Sequence, residues 1–484
     1  MVRIILKRNR EESLLRFHPW VFSGAIAQIQ GSPAEGDVVA VYAADGSFLA
    51  IGHYQIGSIA VRVLSFEYDT LPADFWETSL RRALSVRVAA GLALRTEMSV
   101  GKCHKAGSAE STFQQTSLSS DSTDKAGYAA CHSERSEESR SFGKPQDDKE
   151  PQDDKEPQDD KEPQDDKEPQ DDKEPQDDRT GKEVTNCYRL VHGEGDNLPG
   201  LIIDYYDGVC VMQAHSVGMF RAKKQICDAL KAVYGDALKA VYDKSSGTAP
   251  FKAGLELVDG YLYKAQGFED QSQVVLENGH KFIVNWTEGQ KTGFFLDQRE
   301  NRALVGRMAA GRRVLNLFCY TGGFSIYALA GGALHVDSVD SSARALALVD
   351  RNVELNGFDA SMNESFCTDA IEFLRNSPQD KYDLIIVDPP AFAKHRGALG
   401  NALRAYQRLN AAAIAKVAPG GLVFCFSCSQ VVTKEDFALA VFSAAAQTGR
   451  RVRILDRLNQ PADHAVNIYH PEGEYLKGLL LYVE

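Results

Sequence analysis

No uninterrupted apolar run of about 18 residues occurs in this 484-residue chain, so no membrane-spanning helix is expected. A secretion signal is not expected either, because the first apolar run, Val2 to Leu6, is short and interrupted by Arg3. The 9 cysteines lack framework spacing, which argues against a disulfide-stapled scaffold and fits free thiols in a reducing, cytoplasmic setting. Cys425 and Cys428 share a C-x-x-C spacing, but no second cysteine pair or histidine cluster lies nearby in sequence, and no metal site is expected. Positive net charge is missing as well, the balance being −13. That figure is local in origin. Residues 145–179 read PQDDKE five times and PQDDR once, which contributes −11 and leaves the rest of the chain near −2. The acidic balance therefore does not exclude nucleic acid as a partner.

What is present divides the chain, which is too long for one ordinary core. Residues 1–70 read as short β-runs joined by glycine turns, the pattern of a small β-barrel. Residues 71–290 read as an α+β unit, with a helix from about Pro72 to Leu94 and a hairpin around Asp207-Gly208. Further parts are a helix over Met219–Tyr234 and β-runs near Leu255–Val258 and Lys281–Asn285. This unit is interrupted at 103–184 by an acidic, aliphatic-poor insertion that cannot bury enough apolar surface to offset its ordering entropy. From 291 to 484 strands and helices alternate as in a doubly wound, mostly parallel α/β sheet.

Three places in that last region carry chemistry. Gly322-Gly323 lies between a strand (314–318) and a helix, where glycine allows a tight turn beside a ligand. Asp340 ends the next strand, where an acid reaches ribose hydroxyls, and Asp369 follows the third. The full G-x-G-x-x-G cradle for a pyrophosphate is absent, so the ordered turn and two acids favour S-adenosylmethionine over a dinucleotide. Either acid taken alone is equally a helix N-cap. Further on, the apolar run 382–387 closes on Asp388-Pro389-Pro390, and the run 422–426 closes on Ser427-Cys428-Ser429. Strand ends of a parallel sheet line its ligand crevice, so a carboxylate and a nucleophilic thiol are expected to meet there. Cys425, inside the apolar run, reads as packing. Phe392 is placed to stack on a flat base.

The motifs NLFCYTGGFS (316–325), VDPPAF (387–392) and FSCSQ (426–430) resemble those of class I S-adenosylmethionine-dependent 23S rRNA cytosine-C5 methyltransferases with a PUA domain. HPWVFSGAI (18–26), LVHGEGDNLPGLIIDYYDG (190–208), KTGFFLDQREN (291–301) and EGEYLKG (472–478) resemble further signatures of that family, in the same order. The resemblance implies a Rossmann-like methyltransferase domain with a seven-stranded sheet, an N-terminal PUA-like barrel and a small central domain. It implies S-adenosylmethionine held by Gln298, Arg299, Asn316, Phe318, Tyr320, Thr321, Gly322, Gly323, Asp340, Asp369 and Asp388. Arg299 would pair with the methionine carboxylate.

The same resemblance gives Cys428 the role of nucleophile toward carbon 6 of a cytosine, with Asp388 orienting the base and sharing its protons. Many RNA cytosine methyltransferases carry a second cysteine after the proline-rich motif. Here Ala391 and Phe392 follow, which leaves the base for the carbon-5 proton unassigned; His464 reads more readily as structural. The expected partner is 23S rRNA or a large-subunit precursor, contacted through Arg16, His18, Trp20 and Phe392, by a protein that can form a homodimer. Two other readings stay open. One is a related rRNA guanine methyltransferase with Cys428 structural. The other is a silent RNA-binding or ribosome-assembly protein.

Overall fold

The N-terminal β-runs become β1 (Val2–Leu6), β2 (Trp20–Phe22), β3 (Ile26–Gln30), β4 (Val38–Tyr42), β5 (Phe48–Tyr54) and β6 (Ile59–Ser65). They form one sheet in the order β2-β6-β5-β4-β1-β3, in which β1 and β4 are parallel and the other neighbours antiparallel. Ile4, Leu6, Val39, Val41 and Val61 fill its interior. The computed structural model describes residues 1–93, 184–250 and 254–484. The acidic insertion expected at 103–184 lies, apart from Val184, outside these residues.

A second sheet follows from β7 (Cys187–His192), β8 (Leu201–Tyr206), β9 (Val209–Ala214), β10 (Ala240–Asp243) and β11 (Gly260–Lys264), in the order β11-β10-β9-β8-β7. Asp207 and Gly208 close the β8–β9 hairpin with positive φ at both residues (42° and 92°), the twist that two-residue hairpins prefer. The helices Phe75–Ala89 and Lys223–Tyr234 bury Leu80, Leu84, Ile226 and Leu230 in the core of this sheet. The β-run expected at 255–258 is not a strand: Leu255 and Leu257 pack against that core while Val258 is 65% exposed, and pairing begins only at Gly260.

A hairpin of β12 (Ser272–Glu277) and β13 (His280–Asn285) places Val275, Phe282 and Val284 in the core of the C-terminal region. There, β14 (Arg313–Leu317), β15 (His335–Asp340), β16 (Asn363–Cys367), β17 (Tyr382–Val387), β18 (Val417–Ser427), β19 (Val452–Asn459) and β20 (Lys477–Val483) make a seven-stranded sheet. Its order is β16-β15-β14-β17-β18-β20-β19, with β20 antiparallel to both neighbours and the rest parallel. Helices cover the strands, so β17 and β18 are apolar throughout their middles, as a doubly buried parallel strand must be. The order reverses between β14 and β17. Ligands of open α/β sheets bind beyond the carboxyl ends of the strands at such a reversal, and here those ends are Leu317, Val387 and, one strand further, Ser427. Among the described residues no helix is long and apolar enough to cross a membrane.

Candidate active site

The turn after β14 is held under backbone constraint. Phe318, Tyr320 and Gly322 all take positive φ (59°, 48° and 80°), a conformation that costs non-glycine residues about 1 kcal/mol or more and marks functional turns. Asp340 pins this turn to the end of β15: one carboxylate oxygen accepts the Tyr320 N–H at 3.0 Å and the other the Ser342 N–H at 2.9 Å. The glycines answer to packing as well as to a ligand. A Cβ on Gly322 would lie 2.9 Å from the Val349 side chain, and one on Gly323 would lie 2.9 Å from Arg302 Cδ. Asp369 caps the helix Ala370–Asn376 through Oδ1, which accepts two backbone N–H groups. Its exposed carboxylate has a second oxygen to which no hydrogen bond is made among the described residues.

Among the described residues the buried Thr321 hydroxyl has no hydrogen-bond partner either. Acceptors on successive strand ends beside a constrained turn suit the hydroxyl and amino donors of an adenosyl group. Tyr320 donates its hydroxyl to Gly293 O and accepts the Gln290 N–H, so the turn is tied to segment 290–293. Phe318 packs half-buried on the opposite core.

Asn316 lies within β14. It is fully buried, and its amide donates to Ser325 Oγ at 2.8 Å, joining β14 to the helix Gly323–Ala330. Arg299 begins the helix Arg299–Met308. Its guanidinium is fully buried, donates to Asp463 at 2.9 Å and to the Cys187 carbonyl at 3.0 Å, and lies 3.6 Å from Glu277. The guanidinium faces two carboxylates of its own chain through Nη2 and Nε, while its Nε and Nη1 make no hydrogen bond among the described residues. Asp463 sits at the centre of this network, also accepting the Arg189 N–H and bonding His464 Nδ1. Burial opposes its charge, yet Arg299 and His464 hold its carboxyl well below the usual range. Asp463→Ala would leave Arg299 buried with one neutralising neighbour fewer, and a loss of about 3–5 kcal/mol in urea unfolding is expected. A loss below about 1 kcal/mol would show the network to be dispensable.

Asp388 and Cys428 follow the paired strands β17 and β18, both half-buried and near enough for the Asp388 charge to act on the thiol, in the crevice expected beyond those strand ends. Gln298 links the turn 296–298 to it: its amide bonds the Asp388 carboxylate while its carbonyl oxygen accepts Asn301 Nδ2 at 2.6 Å. Burial, then the neighbouring Asp297, raises the Asp388 carboxyl to about 7. The Cys428 thiol is pushed up to about 12 by burial and by Asp388 and Asp297 beside it. The serines flanking the thiol are fixed: Ser427 Oγ donates to the Tyr406 hydroxyl at 2.9 Å, and Ser429 Oγ donates to Ala393 O at 2.6 Å. Lys477 Nζ donates to Ser429 O and Val432 O, each at 2.6 Å. The segment on both sides of Cys428 is thus anchored, while Cys425 is fully buried and packs as expected. Phe392 stays half-buried, its ring 4.8 Å from that of Tyr406.

Four crevice residues carry no assignment from the sequence: Lys291, Asp297, Tyr475 and Lys477. Tyr475 donates its hydroxyl to Asp297 at 2.7 Å, and Lys477 is lowered to about 8 by burial, with Cys428 nearby opposing the shift. The signal was their place inside the 291–301 and 472–478 motifs. Nothing local in sequence showed that the two motifs meet.

On the barrel, Trp20 is half-buried: its Nε1 donates to Glu194 and its ring lies 4.2 Å from that of His470. His18 is half-buried beside it, and exposed Arg16 pairs with Glu12.

A family model described as an S-adenosylmethionine-dependent methyltransferase matches residues 264–480, and one described as a PUA-like domain matches 4–66. Ribosomal RNA large subunit methyltransferase I of Aeromonas hydrophila subsp. hydrophila is 34% identical over 484 residues, spanning 99% of this chain and 98% of its own. The chain belongs to the ribosomal RNA large subunit methyltransferase I family. The Klebsiella pneumoniae protein of that name is 32% identical, over 98% of this chain and 97% of its own. Two solved structures share the fold at 20% identity over all of both chains. One is a methyltransferase complexed with SAH (TM-score 0.70), and the other is a methyltransferase from Streptococcus mutans (TM-score 0.68). As a member of the methyltransferase I family, the chain is an S-adenosylmethionine-dependent methyltransferase with an N-terminal PUA-like domain.

Proposed function

We propose that the protein methylates carbon 5 of a cytosine in large-subunit ribosomal RNA, with Cys428 as nucleophile and Asp388 as the group that holds the base. The curated relatives are named for large-subunit ribosomal RNA, which supports that substrate. The observation that carries the chemistry is the thiol of Cys428 held between two anchored serines beside a carboxyl near neutrality. In this proposal the barrel spans residues 1–70, the central unit 71–290 with its insertion at 103–184, and the methyltransferase unit 291–484.

The cofactor, when bound, supplies an electrophilic methyl group. Asp340, Asp369 and the turn 318–323 would hold its adenosyl part, with Gln298 and Asp388 toward the reacting end. Carbon 5 of cytosine is a weak nucleophile until carbon 6 is attacked. As the Cys428 sulfur adds to carbon 6 its proton passes to the Asp388 carboxylate, and electron density moves to carbon 5. A carboxyl near 7 is balanced between donor and acceptor, so Asp388 can give a proton to the ring-nitrogen edge as charge gathers there and take it back later. Loss of the carbon-5 proton then restores the double bond and expels the thiolate. The base must leave its stack to enter such a crevice.

The direct test is to digest ribosomal RNA after reaction with the full chain and chromatograph the nucleosides. The expected product is 5-methylcytidine. A methylated guanosine in its place would overturn the reading and leave Cys428 structural, and no methylation of any nucleoside would leave the silent binder.

A further inference from the structure

The aromatic residues that the barrel exposes are not the pair its motif singles out. Trp20 and His18 pack on His470, whereas Phe17 and Phe22 are 49% and 47% exposed. Phe17 takes a positive φ of 61°, a strained conformation for a bulky residue. Its ring lies 5.5 Å from that of Tyr469, which is itself 48% exposed and belongs to the C-terminal segment 466–470. Ile468 beside it is 84% exposed.

This segment is anchored at both ends of its tip. Asn467 Nδ2 donates to Glu194 O and Asn197 Oδ1, each at 3.2 Å, and buried His470 lies against Trp20. Two domains therefore present one apolar and aromatic edge on a fixed base.

Charge and continuity point to its occupant. The first 16 residues carry five cations, Arg3, Lys7, Arg8, Arg10 and Arg16, against two acids. Lys7, Arg8, Arg10 and Arg16 are exposed. From Tyr469 the chain reaches Tyr475 and Lys477, which bond Asp297 and the Ser429 carbonyl in the Cys428 crevice. The six residues from Tyr469 to Tyr475 span at most about 20 Å. Phosphates favour cations, and unpaired bases stack on exposed aromatic faces.

We propose that Phe17 and Tyr469, with the exposed Ile468 beside Tyr469, form a stacking surface for the unpaired nucleotides that flank the target base. This rests on the reading that the substrate is RNA, and it does not depend on which base is methylated.

The test uses the full chain, a fluorescein-labelled unstructured RNA 12-mer and a duplex of the same length, with binding read by anisotropy. Tyr469→Leu and Phe17→Leu keep apolar bulk and lose the aromatic face. Each is expected to weaken single-strand binding about tenfold or more, to leave duplex binding within about twofold, and to raise KM for RNA more than it lowers kcat. Tyr469→Phe is expected to bind like the parent. Thermal unfolding of the variants should match the parent, since both side chains are half exposed. Leu variants that bind the 12-mer as the parent does would overturn the surface and leave the edge to a protein partner. Formation of 5-methylcytidine alongside that result would sink only the surface. Weakened binding alongside a methylated guanosine would sink only the cytosine reading.

Discussion

Cys428→Ala is expected to lose methyl transfer by at least about 10³-fold while binding S-adenosylmethionine as the parent does. The expectation follows from geometry rather than from a poised thiolate. Burial and the carboxylates of Asp388 and Asp297 hold the Cys428 thiol near 12, so in the free protein almost all of it is protonated at pH 7. Alkylation of Cys428 by iodoacetamide in the cofactor-free protein should accordingly climb about tenfold per pH unit between pH 8 and 11. What the fold supplies is position. Ser427 and Ser429 are tied to Tyr406 and Ala393, and Lys477 grips the carbonyl that follows. The thiol therefore needs no reorganisation to meet a base beside Asp388. Calorimetry with the cofactor and a transfer assay on ribosomal RNA separate the two effects. Wild-type transfer by Cys428→Ala, with unchanged product, would remove the thiol from the mechanism.

Replacing the other half of the pair should cost activity and add stability. Asp388→Asn keeps the shape and is expected to lower transfer about 10²–10⁴-fold, the range for a positioned acid–base group. Its effect on folding follows from the carboxyl's rise from 3.8 to about 7. Below about pH 3.8 the group is protonated in both folded and unfolded chains and adds no penalty. Between about 3.8 and 7 the unfolded chain releases the proton that the folded chain retains, so stability falls as pH rises. Above 7 the penalty of an ionised carboxylate in the crevice is fully present. The variant should thus unfold like the parent near pH 4 and be more stable at pH 8, by on the order of 1–3 kcal/mol after screening of a half-buried group. Loss of that charge should also speed alkylation of Cys428, because Asp388 is the largest charge effect holding its proton on. Normal methyl transfer by the variant would show that Asp388 is not used, and a stability gain over the parent no larger at pH 8 than at pH 4 would show that its carboxylate carries no burial penalty.

Much of the fold could be read in advance because the signals are local. Buried parallel strands must be apolar throughout, so Tyr382–Val387 and Leu422–Phe426 announced themselves, and the residues that end them fell at the crevice. The run at 255–258 misled for the converse reason. Leu255 and Leu257 alternate toward a core, but no neighbouring strand pairs with them. Asn316 and Arg299 are assigned to the cofactor on the strength of their motifs, and each also makes contacts inside the protein that no motif shows. Their burial shows that part of each motif serves packing, Asn316 tying a strand to a helix and Arg299 neutralising Glu277 and Asp463.

The sequence by itself determined the order of domains, the parallel sheet, the turn with its two following acids, and the two strand ends that deliver Asp388 and Cys428. These are properties of residues near one another in the chain, where periodicity, turn chemistry and motif spacing act directly. Only the tertiary structure decided that Asp297, Gln298 and Tyr475 converge on the same crevice, that the Cys428 thiol sits near 12, and that Phe17 meets Tyr469 across two domains. A pKa is set by burial and by charges brought from distant segments, and an exposed surface is defined by what fails to cover it. Neither is a property of any short stretch of sequence.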